Sequence, residues 1–255
     1  MDAAGWIVTA AIAAAGLTAG CWVTMLAARV PRGESLRLPL GRCAVCGSPA
    51  TLADAVPLAG WARMRRQCQE CREAFGAWYP AAGVTTAAAA AAMWLRFGPA
   101  PEVPAFFYLV VVGVPLAFID ARYQRLPDVL TLPSYPVGIA ALGVSAIFVP
   151  HGGRQLIHGL IGMAATWLFF VLLVLIYPAG MGWGDVKLSG LIGLYLGWFG
   201  AGALLRGLLG GYLLAAVAGI GLITTGRATR KSHLPFGPFM LAAAFAVILI
   251  PALSR

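Results

Sequence analysis

The stretch Phe118-Ile119-Asp120-Ala121-Arg122-Tyr123-Gln124-Arg125-Leu126-Pro127-Asp128 sets two carboxylates and two arginines between apolar runs at 103–120 and 129–149. Charge is costly in such surroundings, about 2.5–3.5 kcal/mol at the centre of a membrane helix on insertion scales, so each ionisable group needs a reason. From residue 103 onward the chain has only three carboxylates, Asp120, Asp128 and Asp185. The third ends Gly180-Met181-Gly182-Trp183-Gly184-Asp185, whose alternate glycines open conformations closed to other residues and interrupt the helix ahead of Val186. Such a break at membrane depth is tolerated only where the backbone is buried in protein or lines a watery cavity. Asp185 is therefore expected at the N-terminus of a helix, facing water. Asp120 ends one apolar run. Pro127 and Asp128 open the next, with Pro127 suited to a first helical turn and Asp128 to its dipole. Both segments bring carboxyls to the same membrane face.

Working outward, the composition sets the class. Apolar residues make up 60% of the 255, charged residues 11%, and the mean hydropathy is +0.84, values that exclude an ordinary soluble domain. Runs of about 20 apolar residues, enough to cross a bilayer, fall near 4–28, 78–97, 103–120, 129–149, 157–178, 186–204, 206–225 and 236–253. The fold expected is an all-α polytopic membrane protein of about eight transmembrane helices, divided into a first helix (1–28), a loop domain (29–77) and a seven-helix membrane domain (78–255). The first run reads as a retained signal anchor. It is too long for a signal h-region and has only Asp2, with no basic residue, ahead of it.

Basic residues give the orientation. Fourteen of the 18 Lys and Arg residues fall on one face, eight of them in the first loop, with Arg122, Arg125, Lys187, Arg227, Arg230 and Lys231 further on. The positive-inside rule makes that face cytoplasmic and puts all three membrane-domain aspartates at its edge. The same rule accounts for the net charge of +9 without a nucleic-acid partner. His151, His158 and His233 share no ligand spacing and receive no role.

The loop domain is too short for a sizeable core of its own. Cys43, Cys46, Cys68 and Cys71 form two CxxC pairs separated by 21 residues, close to zinc-ribbon spacing. Structural zinc is favoured over two disulfides because cytoplasmic thiols stay reduced. Four thiolate ligands leave no open position for water, so such a metal organises the loop and performs no chemistry. Cys21, inside the first run, reads as a small buried apolar residue. The Ala87–Ala92 run and Gly207, Gly210 and Gly211 suit close helix packing in lipid.

Two carboxyls within hydrogen-bonding reach cannot both ionise cheaply, so Asp120 and Asp185 are expected to hold one proton between them. The ionised partner can take a proton from water while the protonated one gives its own to a carbonyl oxygen, the division of labour of aspartic proteases. Gly182, Gly184 and Asp128 support that site, with Asp128 read first as a helix N-terminal charge or a partner of Arg122 or Arg125. Paired intramembrane carboxylates also serve proton-coupled transporters, which place them near mid-bilayer within repeated broken segments, a pattern absent from this sequence. A third reading is a non-enzymatic assembly component that docks through its zinc loop.

At these residues the chain resembles the bacterial type IV prepilin peptidases, membrane aspartyl proteases of the GxGD type. The resemblance runs nearly end to end. It is carried by GWGD (182–185), IDARYQRLPDVLTLP (119–133), the CxxC pairs, Trp78-Tyr79-Pro80 and LPFGPFM (234–240). It implies that Asp120 and Asp185 are catalytic and that Asp128 is the aspartate of the family's LPD motif. It also implies removal, at the cytoplasmic face, of a short basic leader from prepilins or pseudopilins. Many members then methylate the new N-terminus using S-adenosylmethionine. Where many carry Asn in the first helix and Glu after the Tyr-Pro pair, this chain has Thr24 and Gly83. The resemblance therefore leaves S-adenosylmethionine and methyl transfer as a second activity that is not assigned.

Overall fold

The computed structural model describes residues 3–27, 78–177, 181–227, 229 and 234–254. The four-cysteine loop, Gly180 and His233 lie outside the described residues. Within them the chain is helical throughout, without a strand. The helices are α1 (Ala3–Ala27), α2 (Trp78–Phe97), α3 (Val103–Tyr123), α4 (Asp128–Phe148), α5 (Gly152–Ile176), α6 (Trp183–Trp198), α7 (Ala201–Thr224), α8 (Gly237–Leu249) and the single turn α9 (Pro251–Ser254).

Each apolar run of the sequence thus corresponds to a helix. Five of them, α1, α3, α4, α5 and α7, are long and apolar enough to cross a membrane, which makes this a multi-pass membrane protein. The others fall short for different reasons. With 16 and 13 residues, α6 and α8 are short, since about 20 residues are needed to span the hydrocarbon at 1.5 Å per residue. α2 has the length, but Arg96 with Trp78, Tyr79, Pro80, Thr85 and Thr86 lowers its hydropathy.

Short connections alternate the helix directions. Gln124, in the left-handed region at φ 51°, closes α3 by donating its backbone N–H to the Asp120 carbonyl, and extended Pro127 then starts α4. At the other end Ser145 Oγ of α4 reaches the Pro101 carbonyl ahead of α3 at 3.0 Å, and Arg206 Nε of α7 donates to the Leu253 carbonyl of α9 at 2.7 Å. The ends of α3 and the starts of α4, α6 and α8 consequently gather at one end of the bundle.

At the centre lies α6, with 12 of its 16 residues buried. Its closest neighbour is α5, because glycines line both helices. A Cβ on Gly162 would stand 2.6 Å from the Gly193 carbonyl oxygen, and one on Gly197 equally close, at 2.6 Å, to the His158 carbonyl oxygen. The Thr166 hydroxyl bridges the seam, donating to the carbonyls of Gly162 at 2.7 Å and Ser189 at 3.0 Å. Small residues play the same part between α1 and α2, where Gly20 meets Thr86 and Gly83 meets the Cys21 sulfur. Outward positions of α4, α5 and α7, among them Ile147, Ile161, Leu172, Leu209 and Val217, are large, apolar and exposed, as lipid contact requires.

Candidate active site

Asp120 occupies the last turns of α3 and is 5% exposed. Its Oδ2 accepts a hydrogen bond from the backbone N–H of Gly237 at 3.1 Å, so the first residue of α8 positions it. The space is closely fitted: a Cβ on Gly237 would lie 2.7 Å from that oxygen. Asp185 sits in the first turn of α6, where Gly182 is the N-cap and supplies no capping side chain. The Asp185 carboxylate instead turns back toward the Gly182 backbone, the arrangement by which an acid in the first turn satisfies a free N–H.

Both carboxyls line one open cleft of about 500 Å3 and interact electrostatically across it. Gly182, Gly184 and Asp128 line the same cleft. Gly184 lets α6 approach the α3–α4 connection, since a Cβ there would stand 3.1 Å from Leu126 Cβ. Asp128 is the first residue of α4, at the dipole position. Its ion-pair partner is Lys187, whose Nζ donates to Oδ1 at 2.7 Å, rather than Arg122 or Arg125. His151 precedes α5, beyond the end of α4 remote from Asp128, and the His158 carbonyl packs on Gly197.

The sequence reading did not assign roles to Gly237 and Lys187. Gly237 stood inside LPFGPFM, but a backbone donor leaves no side-chain signature. Lys187 was counted toward topology, though a lone cation between residues 181 and 205 is itself a signal for a nearby anion. Cys43, Cys46, Cys68 and Cys71 lie outside the described residues, and no cluster of three metal-binding side chains occurs among the described ones. Cys21 is buried and free.

A cleft lined by two carboxyls can hold a water between an acid and a base, which is one way of splitting an amide bond. Comparison with known proteins gives the same class. The model of the type IV leader peptidase family matches residues 106–253, and that of the bacterial peptidase A24 N-terminal domain matches 14–97. The prepilin leader peptidase/N-methyltransferase of Aeromonas hydrophila is 33% identical over 84% of this chain and 73% of its own length. That of Aeromonas salmonicida is 32% identical over 84% and 72%. The Bacillus subtilis protein of the same name is 28% identical, over 92% and 91%. No solved structure matches the chain. With the leader peptidase match covering more than half of its residues, including both cleft aspartates, the chain belongs to the type IV leader peptidase family.

Proposed function

We infer that this chain is a membrane-embedded aspartyl endopeptidase that removes the leader from prepilins or pseudopilins. The observation that carries the reading is that Asp120 and Asp185, from two separate helices, line one cleft in a chain of this family. One carboxylate is ionised and one protonated. The ionised member takes a proton from water as the water oxygen adds to the scissile carbonyl carbon, and the protonated member gives its proton to the carbonyl oxygen. The tetrahedral intermediate then collapses, its C–N bond breaks, and the leaving nitrogen receives a proton from the carboxyl that first acted as base. Gly237 holds Asp120 in place for this exchange.

The positive-inside distribution supports a cytoplasmic cleft and loop domain in a bacterial inner membrane, crossed by about eight helices. The donor set Cys43, Cys46, Cys68 and Cys71 suits one structural zinc in the 29–77 domain, between the first helix (1–28) and the peptidase domain (78–255). Methyl transfer has weaker support, although the relatives' names include it. At the α1–α2 interface the Thr24 hydroxyl is engaged with the Gly20 carbonyl at 2.7 Å, and Gly83 abuts the Cys21 sulfur. The described residues there present no side-chain carboxylate or amide to a sulfonium cofactor.

The test is to incubate the purified chain with a synthetic prepilin, with and without S-adenosylmethionine, and weigh the products. Wild type is expected to release a leader-sized fragment, while Asp120→Asn and Asp185→Asn insert normally and release none. Wild-type cleavage by either variant would remove the aspartates from the mechanism. An added methyl group would show the second activity.

A further inference from the structure

The first turn of α6 carries Asp185, whose carboxylate is its local cap on the Gly182 backbone. The N-cap is a glycine without a capping side chain, and the side-chain hydrogen bonds that join α6 to α5 fall at Ser189, past that turn. With 3.6 residues per helical turn, Asp185 and Lys187 project about 200° apart around the axis. A turn tied on one side can roll; a second tie on the far side stops it. Lys187 Nζ, 2.7 Å from Asp128 Oδ1, ties α6 to the first residue of α4. Two other contacts bring α4 and its approach beside the same turn: the Tyr135 hydroxyl donates to the Lys187 carbonyl, and Leu126 abuts Gly184. The paired side chains are 30% and 56% exposed, and an ion pair so open to solvent adds little to overall stability. Its effect falls on orientation.

Resting on the reading of Asp120 and Asp185 as the peptidase centre, we propose that the Lys187–Asp128 ion pair is a positioning clasp that fixes the roll of the first turn of α6 and so keeps Asp185 facing Asp120. Both members line the cleft beside the two aspartates, and in this assignment neither exchanges a proton with substrate. The clasp acts through Asp185, and losing it lowers the rate of chemistry without weakening the hold on substrate.

The experiment measures kcat and KM on a synthetic prepilin for the full chain in detergent. The variants are Lys187→Met, Lys187→Arg, Asp128→Asn and the exchange Asp128→Lys with Lys187→Asp, with Asp185→Asn as control. Lys187→Met and Asp128→Asn are expected to lower kcat roughly ten- to hundredfold, with KM changed less than about twofold and folded yield retained. Lys187→Arg and the exchange are expected to recover most of the rate. Wild-type kcat in Lys187→Met would overturn the clasp. So would a loss confined to KM, or a folded exchange no better than the single variants. Should the exchange not fold, Lys187→Arg decides, because a defect equal to that of Lys187→Met also overturns it. An Asp185→Asn chain that still cleaves would overturn the reading of the centre. A dead Asp185→Asn beside a fully active Lys187→Met would remove the clasp alone.

Discussion

Gly237 shows how a residue without a side chain can govern a reactive one. Its N–H orients Asp120 Oδ2, and the 2.7 Å left for a Cβ is below any ordinary contact with that oxygen. Gly237→Ala must displace the carboxylate or the start of α8. We expect it to cut the cleavage rate by about tenfold or more while the protein still inserts, measured as kcat on a synthetic prepilin against membrane-inserted amount. Asp120 and Asp185 were legible in the sequence because ionised groups are rare and costly among apolar runs. Gly237 was not, since a backbone donor looks like any glycine. Lys187 was half legible: its charge was visible, but its partner in α4, 59 positions away, was not.

Among the elements, the α5–α6 seam sets how closely α6 packs in the bundle. A Cβ on Gly193 would come 2.5 Å from the Gly162 carbonyl oxygen and would also meet the Thr166 hydroxyl, whereas one on Gly143 in α4 would meet nothing within 4 Å. Gly193→Ala is therefore expected to destabilise by about 1–3 kcal/mol through overpacking. Gly143→Ala should be neutral or stabilising by up to about 1 kcal/mol. Thermal unfolding in detergent compares the two. Hydropathy located the helices well but not their ends. The run expected at 157–178 begins as helix at Gly152, because polar residues can be helical outside lipid. The run expected to 204 breaks after Trp198, near Gly200 at φ 100°. The seam itself was not legible, since identical glycines occur at packed and open positions and only the partner helix distinguishes them.

For the whole molecule, the proposed zinc-organised segment 29–77 would pose a stability problem separate from that of the helical bundle. If zinc organises residues 29–77, Cys43→Ser should lower the folded amount and the metal content of the purified chain while the remaining protein keeps its cleavage rate per folded molecule; elemental analysis beside the prepilin assay checks this. The bundle draws on lipid-facing surfaces of α4, α5 and α7 around a sheltered α6. That enclosure has a consequence for biogenesis. Wrapped on nearly every side by its own protein, α6 need not partition into hydrocarbon on its own merits. Its glycines, its lysine and its aspartate would be penalised if it met the bilayer alone, so the helices made before it serve as its solvent.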